Sequence, residues 1–370
     1  MRMIFQRAAL ASAFQTVSGV VPTRTPKPVL QNVKLLASLG EATLMGTDQE
    51  VGIRCKLTDV DVQRGGEVLL PTNRVLAMLR ELHGDGVVME ASEQRVTIKG
   101  DQAEFTLPVE DPAEYPTVAE FAGEDYFVVP AGLFKQMIKR TAFATDPEST
   151  RYALGGVLMD LSGDSLSLVA TDTRRLALSE GKCSKKGNAT AGMAAPVIPT
   201  KALSLIERSV TDDAAEVRFV IKTNDVLIGI GGSTIYSRLV EGRYPRYRDV
   251  IPTGGKVKIE LTAGPFYSAV RQAQIVTSEE SRGVIFTFAP GLITLHSSAA
   301  DVGQSKVELP VSYDGPEVKI NFDPRFVADF LKVLEPEQSL TVDMIDSESA
   351  AAFRTQDGYT YIVMPLSMDR

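Results

Sequence analysis

The feature that most constrains the fold of this chain is an internal repeat, which recurs about every 120 to 135 residues. Three stretches run from a short apolar segment into a helix start: "LLPTNRVLAMLREL", "VIPTKALSLIERSV" and "INFDPRFVADFLKVL", near residues 69, 197 and 320. Pro-Thr or Asp-Pro at the start, followed by apolar residues at helical spacing, is typical of amphipathic helices. A repeat of this length predicts one structural unit that is built three times.

A second set of helices is predicted upstream of the first, near residues 6, 130 and 262. Between the helices, polar and apolar residues alternate with a period of two, which predicts strands with one buried face. Each unit is therefore expected to be α+β, with antiparallel sheets and two helices on one face. The predicted domains are 1–121, 127–251 and 256–370. A loop with an arginine follows each upstream helix; these arginines are Arg24, Arg151 and Arg282.

The sequence offers no residues in a catalytic or metal-binding pattern. It contains two histidines, His83 and His296, which lie in different repeats. Neither has the spacing of a nucleophile–base pair or of metal ligands. The glycine-rich stretch 229–234 is followed by strand-like sequence, which favours a hairpin turn over a dinucleotide site. The prediction is a chain without catalytic residues, metal or cofactor.

Cysteine usage and hydropathy indicate a cytoplasmic protein. Cys55 and Cys183 are too few for a disulfide framework, as expected in a reducing compartment. No apolar run approaches the length of about 18 residues that a membrane span needs. Gln6 and Arg7 interrupt the apolar N-terminal segment, which favours an amphipathic helix over a signal peptide there.

Charge is unevenly distributed along the chain. The formal net charge is −8, which by itself argues against a nucleic-acid binder. The six predicted helices nevertheless carry eleven lysines and arginines against three acids, a net of +8, which leaves −16 for the remainder. A helical surface of this sign suits sequence-independent contact with phosphates. The helix cations are Arg7, Arg74, Arg80, Lys135, Lys139, Arg140, Lys201, Arg208, Arg271, Arg325 and Lys332; the acids are Glu81, Glu207 and Asp329.

Motifs in all three repeats resemble one known family. The second repeat carries "VATDTRRLAL" and "RLVEGRYPRYRDVIP", and the third carries "SRGVIFTF" and the ending "YIVMPL". With "GTDQEVGI" in the first repeat, they resemble the bacterial DNA sliding clamps, the beta subunits of DNA polymerase III, over the whole chain. The resemblance implies a head-to-tail homodimer of three-domain protomers, closed as a ring around double-stranded DNA. The helices would line the hole, and the sheets would form the outside.

The resemblance also implies how such a ring works and which residues contact DNA or a second protomer. It implies no enzymatic activity: the ring tethers the replicative polymerase, and a clamp-loader ATPase opens it. At the dimer seam the strand at 102–107 of one protomer would pair with 302–308 of the other. The seam residues would be Glu104, Leu107, Ile275, Val276 and Lys306, with apolar contacts more important than ion pairs. The residues expected to contact DNA phosphates are Arg24, Arg74, Arg80, Arg151, Lys201 and Arg282.

The last implication concerns a cleft that accepts short apolar peptides from the polymerase, the clamp loader, other polymerases and repair proteins. Where better-known relatives have Gly-His, this chain has Thr173 and Arg174, so an extra cation is expected to alter partner preference. The predicted cleft residues are Leu154, Thr171, Thr173, Arg174, Arg175, Leu176, Pro245, Val250, Ile362, Val363, Met364, Pro365 and Leu366.

Two other functions are compatible with the pattern of repeats. A repeat-built interaction scaffold that never contacts DNA would not need basic helices on one surface. An α+β hydrolase would need a pocket with convergent titratable groups. DNA binding separates the scaffold from the clamp, because a scaffold is expected to show none.

Overall fold

The structure is a computed structural model that describes residues 1–149, 153–190, 195–255, 257–279 and 281–367. It divides into two compact units. The first unit comprises Met1–Lys135 and Cys183–Leu239, and the second comprises Gln136–Lys182 and Val240–Arg370. The second sequence repeat is thus shared between the units. The domain boundaries derived from the sequence, 1–121, 127–251 and 256–370, stay a prediction.

All six helices predicted from the repeats are present, and each is between nine and twelve residues long. Their apolar residues recur at helical spacing, so each helix has one face for the core. Asp323 caps the last helix, because its side chain accepts a hydrogen bond from the backbone N–H of Arg325. The helices are α1 Arg7–Ser18, α2 Thr72–Glu81, α3 Ala131–Thr141, α4 Thr200–Ser209, α5 Ala263–Ala273 and α6 Pro324–Lys332.

The strands are short, as the alternating sequence pattern predicts. Those before residue 150 are β1 Arg2–Gln6, β2 Asn32–Ser38, β3 Glu41–Thr47, β4 Val51–Leu57, β5 Val60–Arg64, β6 Gly66–Pro71, β7 Gly86–Ala91, β8 Arg95–Lys99, β9 Glu104–Pro108 and β10 Tyr126–Pro130. Those up to residue 250 are β11 Gly156–Ser162, β12 Ser165–Thr171, β13 Arg175–Lys182, β14 Ser184–Lys186, β15 Val197–Pro199, β16 Glu216–Ile221, β17 Asp225–Ile230 and β18 Ser233–Arg238. The rest are β19 Val257–Thr262, β20 Val284–Ala289, β21 Leu292–Ala299, β22 Gly303–Pro310, β23 Val318–Phe322, β24 Ser339–Met344, β25 Ala351–Arg354 and β26 Tyr359–Val363.

The first unit contains two antiparallel sheets. Their strand orders are β5-β1-β7-β8-β9 and β14-β10-β16-β17-β18-β4-β3-β2-β6. Helix α1 packs against α2, β3 and β4, and its residues Leu10, Phe14 and Val17 are fully buried. Strand β9 is the last strand of the smaller sheet, so its outer backbone groups have no strand partner within the described residues.

The second unit is built in the same way. Strands β11-β12-β13-β26-β25-β24-β19 lie side by side in that order, and a second sheet has the order β22-β21-β20-β23. Helices α5 and α6 pack together. Phe330 of α6 stacks on Tyr361 of β26 with ring centroids 5.1 Å apart, which ties the helix to the last strand. Strand β22 is at a sheet edge, whereas β26 lies between two partners.

The same hydrogen-bonded turn occurs in both units, which supports the repeat at atomic detail. In the first unit, Asp48 accepts hydrogen bonds from the backbone N–H groups of Glu50 and Val51, at 3.0 and 2.7 Å. Thr47 Oγ1 donates to the carbonyl oxygen of Val51 at 2.8 Å. Gln49 has φ = 81°, in the left-handed region. Side chains that mimic backbone turns in this way explain why "TD" occurs at this point of the first and second repeats.

None of the helices in the described ranges combines the length and the apolar character that crossing a membrane requires.

Candidate functional site

The turn between β12 and β13 forms one wall of the candidate site in the second unit. Asp172 accepts hydrogen bonds from the backbone N–H groups of Arg174 and Arg175, each at 3.0 Å. Thr171 Oγ1 donates to the Arg175 carbonyl at 2.6 Å and accepts from the N–H of Thr173 at 3.1 Å. Thr173 has φ = 75°, a conformation that β-branched residues rarely adopt. The turn is therefore held by its own side chains.

Arg175 secures this turn to helix α6. Its guanidinium donates to Asp172 at 2.9 Å, to Asp329 at 2.6 Å and to the Phe143 carbonyl at 2.9 Å. It also lies over the Phe326 ring, 4.5 Å from the centroid. Burial alone would lower the pKa of the Arg175 guanidinium, but its oxygen partners, the two carboxylates among them, raise that pKa above its usual value. The Arg175 side chain therefore stays positively charged, and the carboxylates of Asp172 and Asp329 lie beside it.

The last strand forms the second wall. Arg175 pairs with Val363 and Leu176 pairs with Ile362 in the antiparallel register of β13 and β26. One more backbone hydrogen bond, from the Met364 N–H to the Arg174 carbonyl at 2.8 Å, extends the pairing past the end of β26. The Met364 side chain is 47% exposed at this point.

The segment beyond Met364 is fixed to β23 through Asn321. The Leu366 N–H donates to the Asn321 carbonyl at 2.7 Å. The Asn321 side-chain amide donates to the Ser367 carbonyl at 3.2 Å. Both contacts come after Pro365, a residue that has no backbone N–H to donate to a neighbouring strand.

The segment 243–250 forms the third wall and is held by two tyrosines. Tyr244 donates its hydroxyl hydrogen to the Val169 carbonyl at 2.9 Å. Tyr247 donates to Asp160 at 2.7 Å, and Arg248 pairs with the same carboxylate at 2.8 Å. Burial raises the pKa of Tyr244, and burial followed by the hydrogen bond to Asp160 raises that of Tyr247. Both tyrosines therefore stay neutral hydrogen-bond donors at physiological pH.

These three walls enclose a cleft of about 490 Å³. Its exposed apolar side chains include Met364 and Val250, the latter 55% exposed. A concave, partly apolar surface of this size suits one or two large side chains of a ligand. The lining residues are Thr171, Thr173, Arg174, Arg175, Leu176, Arg243, Pro245, Arg246, Tyr247, Val250, Ile362 and Met364.

The sequence-based list of cleft residues agrees with this lining in nine positions: Thr171, Thr173, Arg174, Arg175, Leu176, Pro245, Val250, Ile362 and Met364. Four other predicted residues, Leu154, Val363, Pro365 and Leu366, do not line the cleft. Leu154 and Val363 are 1% and 0% exposed, so they support it from the core. Three lining residues, Arg243, Arg246 and Tyr247, were not predicted. They lie in the same "GRYPRYRDV" motif, which was the signal for them.

The residues predicted to contact DNA differ in how available their charges are. Arg24, Arg74 and Arg282 are exposed. Arg80 is exposed and donates to Gln15 Oε1 at 2.7 Å. Arg151 lies outside the described residues.

Several helix cations are already paired within the protein. Lys201 forms an ion pair with Asp48 and donates to the Val20 carbonyl at 3.1 Å. Arg140 is 3% exposed and pairs with Asp357 at 2.7 Å. The net charge of +8 counted on the helices therefore overstates what the helices can offer to a phosphate.

The predicted seam residues lie on two sheet edges and one short turn. Glu104 on β9 pairs with Lys99 at 3.3 Å, and Lys306 on β22 pairs with Glu308 at 2.6 Å. Ile275 is 74% exposed and Val276 is half-buried. Leu107 is 5% exposed, so its side chain packs inside its own sheet.

No group of three or more His, Cys, Asp or Glu side chains in the described part of the chain is arranged to hold a metal ion.

Comparison with known proteins identifies the family. Family models of the three domains of the DNA polymerase III beta subunit match three consecutive segments of the chain, in order. The N-terminal domain matches residues 1–119, the central domain 128–246 and the C-terminal domain 248–367.

Individual relatives agree with the family models. The chain is similar to the beta sliding clamp of Pseudomonas aeruginosa, at 30% identity over 372 residues with 100% of both chains covered. It is also similar to the crystal structure of a P. aeruginosa sliding clamp bound to griselimycin, with a TM-score of 0.92, 28% identity and 100% of both chains covered. The Bacillus subtilis sliding clamp gives a TM-score of 0.90 at 26% identity, covering 100% of this chain and 99% of that one. The chain therefore belongs to the DNA polymerase III beta-subunit family, the bacterial sliding clamps, whose members are non-catalytic processivity subunits of DNA replication.

Proposed function

We propose that two copies of this chain form a ring that encircles double-stranded DNA, slides without reading its sequence and tethers the replicative DNA polymerase. The observation that carries this proposal is the match to all three domains of the beta subunit, in order, along one chain. A closed ring cannot leave DNA sideways, so its phosphate contacts can stay weak and sequence-independent. In this proposal the helices face the DNA, the sheets form the outside of the ring, and the protein acts in the cytoplasm.

The seam of the proposed ring joins β9 of one protomer to β22 of the other. Both strands are sheet edges, and exposed edges are a liability that proteins usually cover. Glu104 and Lys306 already have partners on their own or the neighbouring strand. The seam therefore depends on backbone pairing and on the exposed Ile275 rather than on ion pairs between protomers. Leu107 contributes through its backbone.

Replacing Ile275 with serine is expected to weaken the dimer. Burying this side chain gains about 2 kcal/mol at each of the two seams of the closed ring, so its loss should raise the dissociation constant of the dimer about a thousandfold. Sedimentation over a concentration series measures that constant. Leu39→Ser is the matched control, since Leu39 is 96% exposed in the turn between β2 and β3. A wild-type chain that is monomeric at micromolar concentration, or equal constants for the two variants, would contradict the proposed seam.

The proposed DNA contacts are the exposed cations Arg24, Arg74, Arg80 and Arg282, with Arg151 and Lys201 as the other candidates. Lys201 must exchange Asp48 for a phosphate, so its net contribution is expected to be smaller. Contacts of this kind release counterions from DNA and carry no sequence information.

Replacing Arg74 with alanine is expected to reduce the salt dependence of DNA binding without creating a sequence preference. The slope of log affinity against log salt should fall by about two, because each of the two protomers in the ring loses one phosphate contact. Titration of duplexes of equal length and different sequence measures this. Arg64→Ala is the control, since Arg64 is an exposed cation at the end of β5. Binding that is absent at every salt concentration would favour the interaction scaffold, and a preferred sequence would exclude sliding.

We also propose that the cleft of the second unit binds short apolar peptides of the polymerase, the clamp-loader ATPase and other polymerases or repair proteins. Two buried leucine or phenylalanine anchors would gain roughly 3 to 6 kcal/mol. After ordering costs, flanking hydrogen bonds would bring the complex near micromolar affinity. Partners could then exchange on one cleft.

A further inference from the structure

We propose that a strap, the segment 115–121, fixes the first and second repeats to each other, and that Phe121 is its fastening point on Gly229. Phe121 lies between the segments 1–119 and 128–246 that the first two family models match. A passive linker would leave the sheet surface at such a point, whereas this segment is held along its length. The effect on ring closure that we derive from the strap rests on the proposed function.

The strap crosses the boundary at which strands of the two repeats pair. In the larger sheet of the first unit, β6, β2, β3 and β4 come from the first repeat, and β18, β17, β16, β10 and β14 come from the second. The two sets meet where Ile53 of β4 pairs with Ile235 of β18. The twist between neighbouring strands varies by tens of degrees among sheets. This strand pair by itself therefore does not fix the angle between the repeats.

On the first-repeat side, the strap is attached to one face of β4. Val118 is buried against Gly52, where a Cβ atom would come within 3.0 Å of Val118 Cγ1. Arg54 Nη1 donates to the Val118 carbonyl at 3.2 Å. Glu120 forms ion pairs with Lys56 at 3.2 Å and with Arg54 at 3.7 Å. The three partners are alternate residues of β4, so they share a face of the sheet.

On the second-repeat side, Phe121 is attached to three further strands. Its N–H donates to Thr234 Oγ1 of β18 at 3.4 Å. Its ring lies on Gly229 of β17, where a Cβ atom would be 3.2 Å from both Cγ and Cδ2 of the ring. The Arg218 guanidinium of β16 lies 5.1 Å from the ring centroid, and Tyr126 meets the ring edge-on at 6.0 Å. The strap thus contacts β4, β18, β17 and β16, on both sides of the boundary.

The position of the ring gives a reason for the glycine at 229. A glycine inside a strand is unfavourable by itself and often marks the close approach of another group. Cation–π and edge-to-face contacts favour the ring at this place. The second unit has "RYPRYRDV" where the strap has "EYPTVAEF". Val250, at the position that corresponds to Phe121, is 55% exposed. The same element is thus fastened down in the first unit and borders an open cleft in the second.

A fixed joint favours closure of the proposed ring. Two protomers close a ring at two seams, so each protomer must hold the curvature that brings both of its seam strands into place. After the first seam forms, the second closes within the same complex, at an effective concentration that falls when the joint is loose. The strap therefore strengthens the dimer by preorganisation, without contacting the seam.

Hydrogen exchange of the full-length protein tests the fastening. We expect Phe121→Ala to speed exchange of the amides of β4 and β18 about tenfold, because the contacts of the ring with Gly229 and Arg218 are lost. Lys56 is one reporter, since its N–H donates to the Gly232 carbonyl across the boundary at 3.0 Å. The amides of β8 should keep their wild-type rates.

Gly229→Ala provides a second variant that keeps the ring. It should also speed exchange of β4 and β18, because the new methyl group displaces Phe121. In the Phe121→Ala background it should add nothing, since the methyl group then meets no ring. Gly86→Ala on β7 is the matched control, because a Cβ atom there has no neighbour within 4 Å.

Sedimentation of the same variants tests the effect on the ring. Phe121→Ala and Gly229→Ala should each raise the dissociation constant of the dimer about tenfold, and Gly86→Ala should leave it unchanged. Exchange of β8 and β9 at wild-type rates would show that the seam strand itself is intact. A side chain that only stabilises its surroundings would change the exchange of β4 and β18 but not the dissociation constant.

The outcomes separate the strap from the function on which its effect on the ring rests. Wild-type exchange of β4 and β18 in both variants, or an equal effect of Gly229→Ala with and without Phe121, would overturn the fastening. Faster exchange with an unchanged dissociation constant would overturn the effect on ring closure. A wild-type chain that is monomeric at every concentration would contradict the proposed ring, and the exchange rates would still decide whether the strap holds the repeats together. If Phe121→Ala does not fold, Gly229→Ala against Gly86→Ala decides both points.

Discussion

Replacing Arg175 with methionine lowers the free energy of unfolding of the second unit by about 3 kcal/mol, the low end for breaking a buried ion pair. The change leaves Asp172 and Asp329 facing each other without the guanidinium that bridges them. It also removes the donor to the Phe143 carbonyl. The low end applies because Asp329 is 43% exposed and can be partly solvated. The cleft should lose peptide affinity together with stability, since Arg175 lines it.

Denaturant unfolding followed by circular dichroism and tyrosine fluorescence measures this effect, and the ten tyrosines report without interference because the chain has no tryptophan. Arg174→Met is the matched control. It removes the neighbouring arginine, which is exposed, and should cost less than about 0.5 kcal/mol. Adding Asp329→Asn to Arg175→Met should restore part of the loss, which a double-mutant cycle detects. If Arg175→Met costs no more than Arg174→Met, the network does not stabilise the unit.

Deleting Leu366–Arg370 leaves the folded dimer intact but lowers the affinity for a polymerase-derived peptide about 100-fold or more. The deletion removes the hydrogen bond from Leu366 to the Asn321 carbonyl, which fixes the segment after Met364. Met364 keeps its backbone hydrogen bond to the Arg174 carbonyl, but its side chain and Pro365 lose the anchor on their C-terminal side and would have to be ordered on binding. Ordering costs about 1 to 2 kcal/mol per residue, and about 3 kcal/mol corresponds to the expected loss of affinity.

A shorter deletion, of Met368–Arg370, provides the matched control. It keeps Leu366 and Ser367 and their contacts with Asn321, so we expect it to change peptide affinity by less than tenfold. Calorimetry measures the affinities, and sedimentation checks the dimer. If the longer deletion leaves peptide affinity unchanged, the tail does not contribute to peptide binding. If that variant unfolds, the tail is required for folding and belongs to the core rather than to the binding site.

The sequence predicted those structural features that depend on residues close to one another along the chain. Helical spacing predicted all six helices. The resemblance of the motif around Thr171 to the sliding clamps implied the cleft wall that the turn builds. Strand β26 stops at Val363, two residues before Pro365, which lacks the backbone N–H that a strand partner would need. These features depend on neighbours along the chain, and such neighbours are visible in the sequence.

Side-chain environments that depend on residues far away in the sequence could not be predicted in the same way. Arg140 has helical spacing like any exposed cation, yet Asp357 and the ring of Tyr359 enclose it from another part of the unit. Leu107 was expected at the seam because it lies on an edge strand, but an edge exposes backbone groups, whereas the side chains still alternate between two faces. The Leu107 side chain lies on the face of the sheet that packs into the core.

The position of β26 inside its sheet also governs when the cleft can exist. Strand β13 ends at Lys182, about halfway along the 370-residue chain. Its partner β26 begins only at Tyr359, and Arg175 pairs with Val363, 188 positions later along the chain. Until then β13 has an unpaired edge, and a nascent chain folds its earlier parts first. Closing so long a loop is slow compared with forming hairpins. A chain whose synthesis has not passed this point therefore lacks β26 and the Met364 that follows it, so the peptide cleft proposed above is incomplete until then.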